Sequence, residues 1–305
     1  MSDPAHHTSN GPAAHAERLG LVVVDKEPGW TSHDVVARCR RIFGQRRVGH
    51  AGTLDPDATG ILLVGLGRAT RLLRFLTMLQ KTYTAEVVLG VATFTLDASG
   101  DEVGRWDMGE VTVDQARQAA AGLTGRIEQV PPMVSAVKVG GRPLHRLARQ
   151  GVEVDRPART VEVHRFDVGP WVEPGVLRVE VDCSSGTYVR VLAADLGAAL
   201  GGGAHVRNLR RTAIGSFTEA DASPIDALDE SAVLSPAEAL RDLAGVRVGA
   251  EIEQLVGRGL PLDRVSLGAS GSGPWALVGE GGQLLAVYEA TETDRVRPAV
   301  VLAAG

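Results

Sequence analysis

The sequence predicts an α+β protein, with one large domain followed by a small β-rich one. Three observations carry that expectation. The chain of 305 residues is longer than one average domain. Up to residue 217, runs rich in β-formers alternate with segments that have helix caps and helical apolar spacing. From about residue 247 the texture becomes short and strand-like, with the Gly/Ser-rich stretch Leu267 to Gly273 expected as a hairpin-like loop.

Taken in order, residues 1–17 have no apolar period and read as a disordered tail, where His6, His7 and His15 are simply solvated. Leu19 to Val24 is a short buried strand. After the turn Asp25–Trp30, Thr31 or Ser32 caps a helix with apolar Val35, Val36, Cys39 and Ile42, ending near Gly44. Ile61–Val64 reads as a buried element. The stretch from Gly65 to Thr70 leads into a helix bearing Arg71 and Arg74; without a third glycine it is not a dinucleotide loop. Lys81–Gly90 alternates as a strand and continues to a turn containing Asp97. Residues 112–123 form an amphipathic helix capped by Thr112. A basic, glycine-marked segment spans 131–151, and strands resume at 160–168 and 176–183. Cys183–Arg190 is a strand-to-helix junction, Val191–Leu200 the helix, and Ala204–Thr212 a basic stretch entering a strand. Ser235 and Pro236 open a further helix, with proline at its first position.

Composition narrows the function classes. At 44% hydrophobic and 23% charged residues, the chain has ample material for a core. There is no run of about 18 apolar residues, so no membrane span is expected, and no basic-then-apolar start marks a signal peptide. Cys39 and Cys183 lie too far apart for a paired-cysteine metal or redox motif. A cytoplasmic setting is the expectation. The net charge of −5 is unevenly spread. Residues 18–217 carry 26 Lys/Arg against 21 Asp/Glu, whereas residues 218–305 carry 6 against 14. Local basic clusters, not overall charge, set a nucleic-acid footprint.

Most of the chemistry gathers in Arg46–Gly60. Glycines let the backbone approach a ligand, and Pro56 biases Asp55 away from helical dihedrals. His50 lies beside it, and Arg38, Arg40, Arg41, Arg46 and Arg47 have no acid among them from residue 35 to 54. A carboxylate meeting an anionic partner is one reading. A tight turn with Asp55 as a helix cap fits the spacing equally well.

Four motifs in order settle more than that loop alone. Gly49-His50-Ala51-Gly52-Thr53-Leu54-Asp55-Pro56, Lys81-Thr82-Tyr83, the 131–151 segment and Ser185–Arg190 together closely resemble the TruB-type tRNA pseudouridine synthases. The resemblance runs from about Leu19 to Phe217. It implies a catalytic domain (18–245) on a large, mostly antiparallel sheet, with 131–151 as an insertion that closes over the RNA arm, and a PUA-like RNA-binding domain at 246–305. It implies isomerisation of uridine 55 in the tRNA T-arm, with Asp55 as catalytic aspartate, Tyr83 packing on the flipped base and Arg190 paired with the aspartate. His50 would help extrude the uridine; Tyr188 and Leu209 would line its pocket; Lys26 and Asp97 would join them as second-line substrate-binding residues. Arg46, Arg47, Lys138, Arg207, Arg210 and Arg211 are the expected phosphate contacts. No cofactor, metal or guide RNA is expected, and the chain is expected to act as a monomer. It departs from the family pattern at Glu27, which separates Lys26 from Pro28, at Phe94 and Leu96, where polar residues are common, and at His145, where tyrosine is more frequent.

Overall fold

The computed structural model describes residues 17–135 and 154–302, and the backbone alone at 138–139 and 142–143. The expected tail, apart from Glu17, and most of the 131–151 insertion, including His145 and the Lys138 side chain, lie outside the described residues.

The strands are β1 (Gly20–Lys26), β2 (Val48–Ala51), β3 (Thr59–Leu66), β4 (Lys81–Leu89), β5 (Val91–Thr93), β6 (Glu102–Arg105), β7 (Gly125–Gln129), β8 (Lys138–Val139), β9 (Arg142–Pro143), β10 (Arg159–Glu173), β11 (Val176–Cys183), β12 (Ala204–Ile214), β13 (Phe217–Thr218) and β14 (Ser223–Pro224). A ten-stranded sheet runs β14-β1-β3-β12-β4-β11-β10-β7, with β2 also on β3 and β13 also on β12. Its pairings are antiparallel except β1 with β14 and β12 with β3. The α+β expectation therefore holds.

Sequence pattern explains the sheet's layering. In β3, Ile61 to Val64 are all fully buried, the continuous apolar run of a strand covered on both faces. Ile61 and Leu63 face one apolar cluster, Leu62 and Val64 another. On the second face lies α1 (Ser32–Ile42), through Val35, Val36 and Cys39. Thr31, rather than Ser32, caps it in a reciprocal box with Asp34, which satisfies otherwise orphan N–H groups. After a 3₁₀ turn, α2 (Leu73–Thr77) leads into β4, where Ala85, Val87 and Leu89 alternate into a separate core. That core is closed by α3 (Val113–Gly122), capped by Thr112, and by α4 (Val189–Ala199).

The short helix α5 (Pro236–Ala239) precedes a second sheet of β15 (Ala244–Arg247), β16 (Leu262–Asp263), β17 (Trp275–Val278), β18 (Leu284–Ala290) and β19 (Arg295–Val301), ordered β15-β17-β18-β19-β16, with α6 (Ala250–Gly257) against it. The Leu267–Gly273 stretch is not a hairpin loop. It carries the chain from β16 at one edge to β17 across the sheet, because β16 pairs with β19. Ala276, Val287 and Val300 of this sheet share one apolar cluster with Leu21, Leu63 and Leu76. Among the described residues, no helix is long and apolar enough to cross a membrane.

One row of residues positions the functional end of the large sheet. Gly60, Arg211, Tyr83 and Val181 stand opposite one another across β3, β12, β4 and β11. The β2–β3 loop carrying Asp55 enters at this level. Gly60 adopts φ +97°, and a Cβ there would lie 2.2 Å from the Arg211 carbonyl oxygen, so only glycine fits.

Candidate active site

The Asp55 loop is clamped from beneath. Lys26 Nζ donates to the carbonyls of Glu27 (2.9 Å), Trp30 (2.8 Å) and Pro56 (2.8 Å), and Gly29 N also donates to the Pro56 carbonyl (2.9 Å). Ser32 Oγ accepts from Leu54 N at 2.9 Å. Arg211 donates to the carbonyls of Ile61 (2.8 Å) and Gly52 (3.1 Å). These bonds hold still an acid that turn propensity alone would leave mobile.

Asp55 meets Arg190 across the sheet. Arg190 Nε lies 2.9 Å from Asp55 Oδ2, and Nη2 donates to Oδ1 at 3.1 Å, a bidentate pair. The guanidinium is buried, and its other donors reach the carbonyls of Thr95 and Val134, both at 2.9 Å. Asp97 stands 3.5 Å from Arg190 Nη1. Its other oxygen accepts from Thr95 Oγ1 (2.7 Å) and from Ser99 Oγ (2.6 Å) and N (3.1 Å). Burial raises the Asp55 pKa; Arg190 opposes the shift and Asp97 adds to it. The result is a carboxylate more basic than a free one, with a fixed counter-charge.

A cavity of about 450 Å³ opens above this pair, within the range of small-ligand sites. Tyr83, Tyr188 and Leu209 line it, together with Asp55, Arg190 and Lys81. Burial raises the Tyr83 phenol's pKa, and the nearby Arg211 cation opposes that shift. Tyr188 sits at the N-cap of α4, its backbone N held by Gln129 Oε1 at 3.0 Å. An adjoining cavity of about 310 Å³ shares Asp55 and Arg190 and includes Asp97.

The structure thus brings Asp55, Tyr83, Tyr188, Arg190, Leu209 and Asp97 together. His50 lies on β2 and is not among the residues lining the larger cavity. Its ring meets His33 edge-on at 5.5 Å, and burial lowers its pKa to about 4, leaving it neutral near pH 7. Lys26 corrects the expectation of a substrate contact. It is 1% exposed, and its three N–H groups are taken by two carbonyls of the Asp25–Trp30 turn and one of the Asp55 loop. Of the β12 arginines expected at phosphates, one lies in the interior and two stand in ion pairs. Arg211 is buried, Arg207 is held by Glu86 (2.7 Å) and Glu173 (2.6 Å), and Arg210 by Asp25 (2.8 Å) and Glu219 (2.6 Å). Arg46 and Arg47 are exposed, Arg47 with one bond to Thr70 Oγ1 at 3.0 Å.

Comparison with known proteins gives this geometry a lineage. Residues 40–189 match the model of the TruB family pseudouridylate synthase N-terminal domain, and 190–246 that of the tRNA pseudouridylate synthase B C-terminal domain. The tRNA pseudouridine synthase B of Mycolicibacterium paratuberculosis is 47% identical over 289 residues, 93% of this chain and 97% of that one. The chain belongs to the TruB family. It is accordingly a pseudouridine synthase, an isomerase. The Mycobacterium avium (strain 104) tRNA pseudouridine synthase B is 54% identical over 219 residues, 71% of each chain. Among solved structures, a chain of an H/ACA RNP bound to a substrate RNA containing 2′-deoxyuridine superposes with a TM-score of 0.69 at 25% identity, covering 93% of this chain and 85% of that one.

For a TruB-family site, sequence reasoning overlooked three supports. Ser32 was legible only as a possible helix cap, yet it holds the residue before Asp55. Gln129, 2% exposed, fixes Tyr188 from a strand 59 residues away. Lys81 carried a motif signal but no assigned task. Among the described residues, no group of His, Cys, Asp or Glu is arranged to hold a metal ion.

Proposed function

We propose that this TruB-family chain converts uridine 55 in the T-arm loop of tRNA to pseudouridine, as a cytoplasmic monomer without a guide RNA or cofactor, with Asp55 as the reacting carboxylate. The observation that carries the reading is the bidentate Asp55–Arg190 pair at the base of the cavity. The relatives' names support tRNA as the substrate.

The reaction breaks the N1–C1′ bond, turns the uracil and joins C5 to C1′, with a proton leaving C5 and one gained at N1. Nothing is oxidised. Asp55 serves as a nucleophile at C1′ or as a base at the ribose, and both roles need the ionised form that Arg190 favours. Flipping a uridine out of a folded loop costs a few kcal/mol. Stacking on Tyr83 returns about 1–3 kcal/mol. Neutral His50 fills the vacated space. Arg46, Arg47 and Lys138 meet phosphates, the 131–151 segment closes over the RNA arm, and the C-terminal β-rich unit is the PUA-like RNA-binding domain.

Pseudouridine mapping in tRNA treated with wild type and Asp55→Asn tests the reading. The variant is expected to bind tRNA and form no pseudouridine; retained turnover would overturn it. Activity of the wild type on a bare transcript separates it from action directed by a guide RNA.

A further inference from the structure

The cavity wall carries more positive charge than Asp55 requires. Asp55 and Arg190 compensate each other. Lys81, 5% exposed at the start of β4, and Arg211, 1% exposed on β12, also line the cavity. Among the described residues, neither forms an ion pair with a carboxylate. Lys81 Nζ donates to the carbonyls of Thr77 and Leu79, the latter at 2.6 Å, and its third N–H has no partner among the described residues. Lys26 is the internal contrast, since carbonyls take all three of its donors. Arg211 lies close enough to depress the Lys81 pKa further, after burial has lowered it, to about 8. The Cys183 thiol beside them supplies no counter-charge, because burial pushes its pKa up to about 11. Placing two cations side by side in a half-dry wall is costly, and such arrangements concentrate at functional sites.

Uracil enters this cavity neutral and acquires charge only during the reaction. When the N1–C1′ bond breaks heterolytically, its electron pair stays on N1 and spreads over O2 and O4. We propose that Lys81, backed by Arg211, stabilises this detached uracil anion while it turns to present C5 to C1′. The C5–C1′ bond then forms from an electron pair of the ring, discharging the anion as C1′ gives up the bond or positive charge left when N1 departed, and loss of the C5 proton with protonation of N1 restores the uracil ring without further change of charge. A preformed cation aimed at charge that develops only in the transition state lowers the barrier without tightening ground-state binding. The inference rests on the function proposed above.

Single-turnover pseudouridine formation in tRNA, followed from neutral to alkaline pH for wild type, Lys81→Gln and Lys81→Arg, tests it. Loss of one such donor predicts a rate about 100-fold lower for Lys81→Gln with unchanged tRNA affinity. The wild-type rate is expected to fall as pH rises through about 8, where the Lys81 cation is lost. Lys81→Arg, still cationic, should keep most of the rate and lose that alkaline limb. Three results would overturn the assignment: a full rate in Lys81→Gln, a defect confined to affinity, or an alkaline limb that persists in both variants. A wild type that forms no pseudouridine at all would instead overturn the functional reading on which it stands.

Discussion

Two groups of arginines look alike in sequence and differ completely in the fold. Arg40, Arg41, Arg46 and Arg47 close α1 and enter β2 at the surface; Arg41 and Arg46 are exposed with no partner among the described residues. Arg207, Arg210 and Arg211 lie on β12, inside the sheet between β3 and β4. There the neighbouring chain supplies acids and carbonyls that occupy each guanidinium: Glu86 from β4, Asp25 from β1, and Ile61 from β3. A basic run at a helix end remains available to a polyanion. The same run on a central strand is engaged by the strands beside it: Arg211 points into an interior that must satisfy it, and Arg207 and Arg210, each about a third exposed, are ion-paired.

The largest effect should come from Arg211. Arg211→Met leaves the Gly52 and Ile61 carbonyls without their donor. Each buried group left unsatisfied costs about 1–3 kcal/mol. Chemical denaturation is expected to show a loss of at least about 3 kcal/mol, and a loss below about 1 kcal/mol would mean that Arg211 is no scaffold residue. The surface pair sits at the opposite pole. Arg46→Ala with Arg47→Ala should leave stability within about 0.5 kcal/mol. The same double variant should lower the salt dependence of tRNA binding, the slope of log K against log salt, by about 1–2. Titrations at several salt concentrations measure it, and an unchanged slope would remove these residues from the RNA interface.

What was legible in the sequence divides along the same line. Local chemistry read well: Thr31, Thr112 and Ser235 all cap helices with reciprocal partners three residues on. The alternation in Lys81–Leu89 marked a strand, and the motif order brought Asp55, Tyr83 and Arg190 to one cavity. Partners distant in sequence were not legible. Nothing near Ser32 points to Leu54, nothing near Gln129 points to Tyr188, and Lys26 gives no sign that its ammonium will be surrounded by carbonyls. The Leu267–Gly273 stretch failed for a related reason. Glycine and serine mark a turn, but which strands it joins depends on β16 finding β19 rather than β17.

The smallest effect discriminates most finely, because Arg210 lies between the two extremes. It bridges Asp25 through two bonds of 3.0 and 2.8 Å and Glu219 at 2.6 Å, and its side chain is 31% exposed. Partial exposure screens these pairs, so Arg210→Ala should cost no more than about 1 kcal/mol. A double-mutant cycle with Asp25→Ala should recover most of that loss as coupling between the two residues. The decisive number is again the salt slope. With both acids already neutralising the guanidinium, tRNA gains little from it, and the slope should match wild type. A slope lower by about 1 would mean that phosphate displaces Asp25 and Glu219 on binding. In that case the acids of β1 and the 3₁₀ turn after β13 hold Arg210 in reserve rather than remove it from the interface, and the boundary between scaffold and RNA-binding arginines falls one residue further along β12, at Arg211.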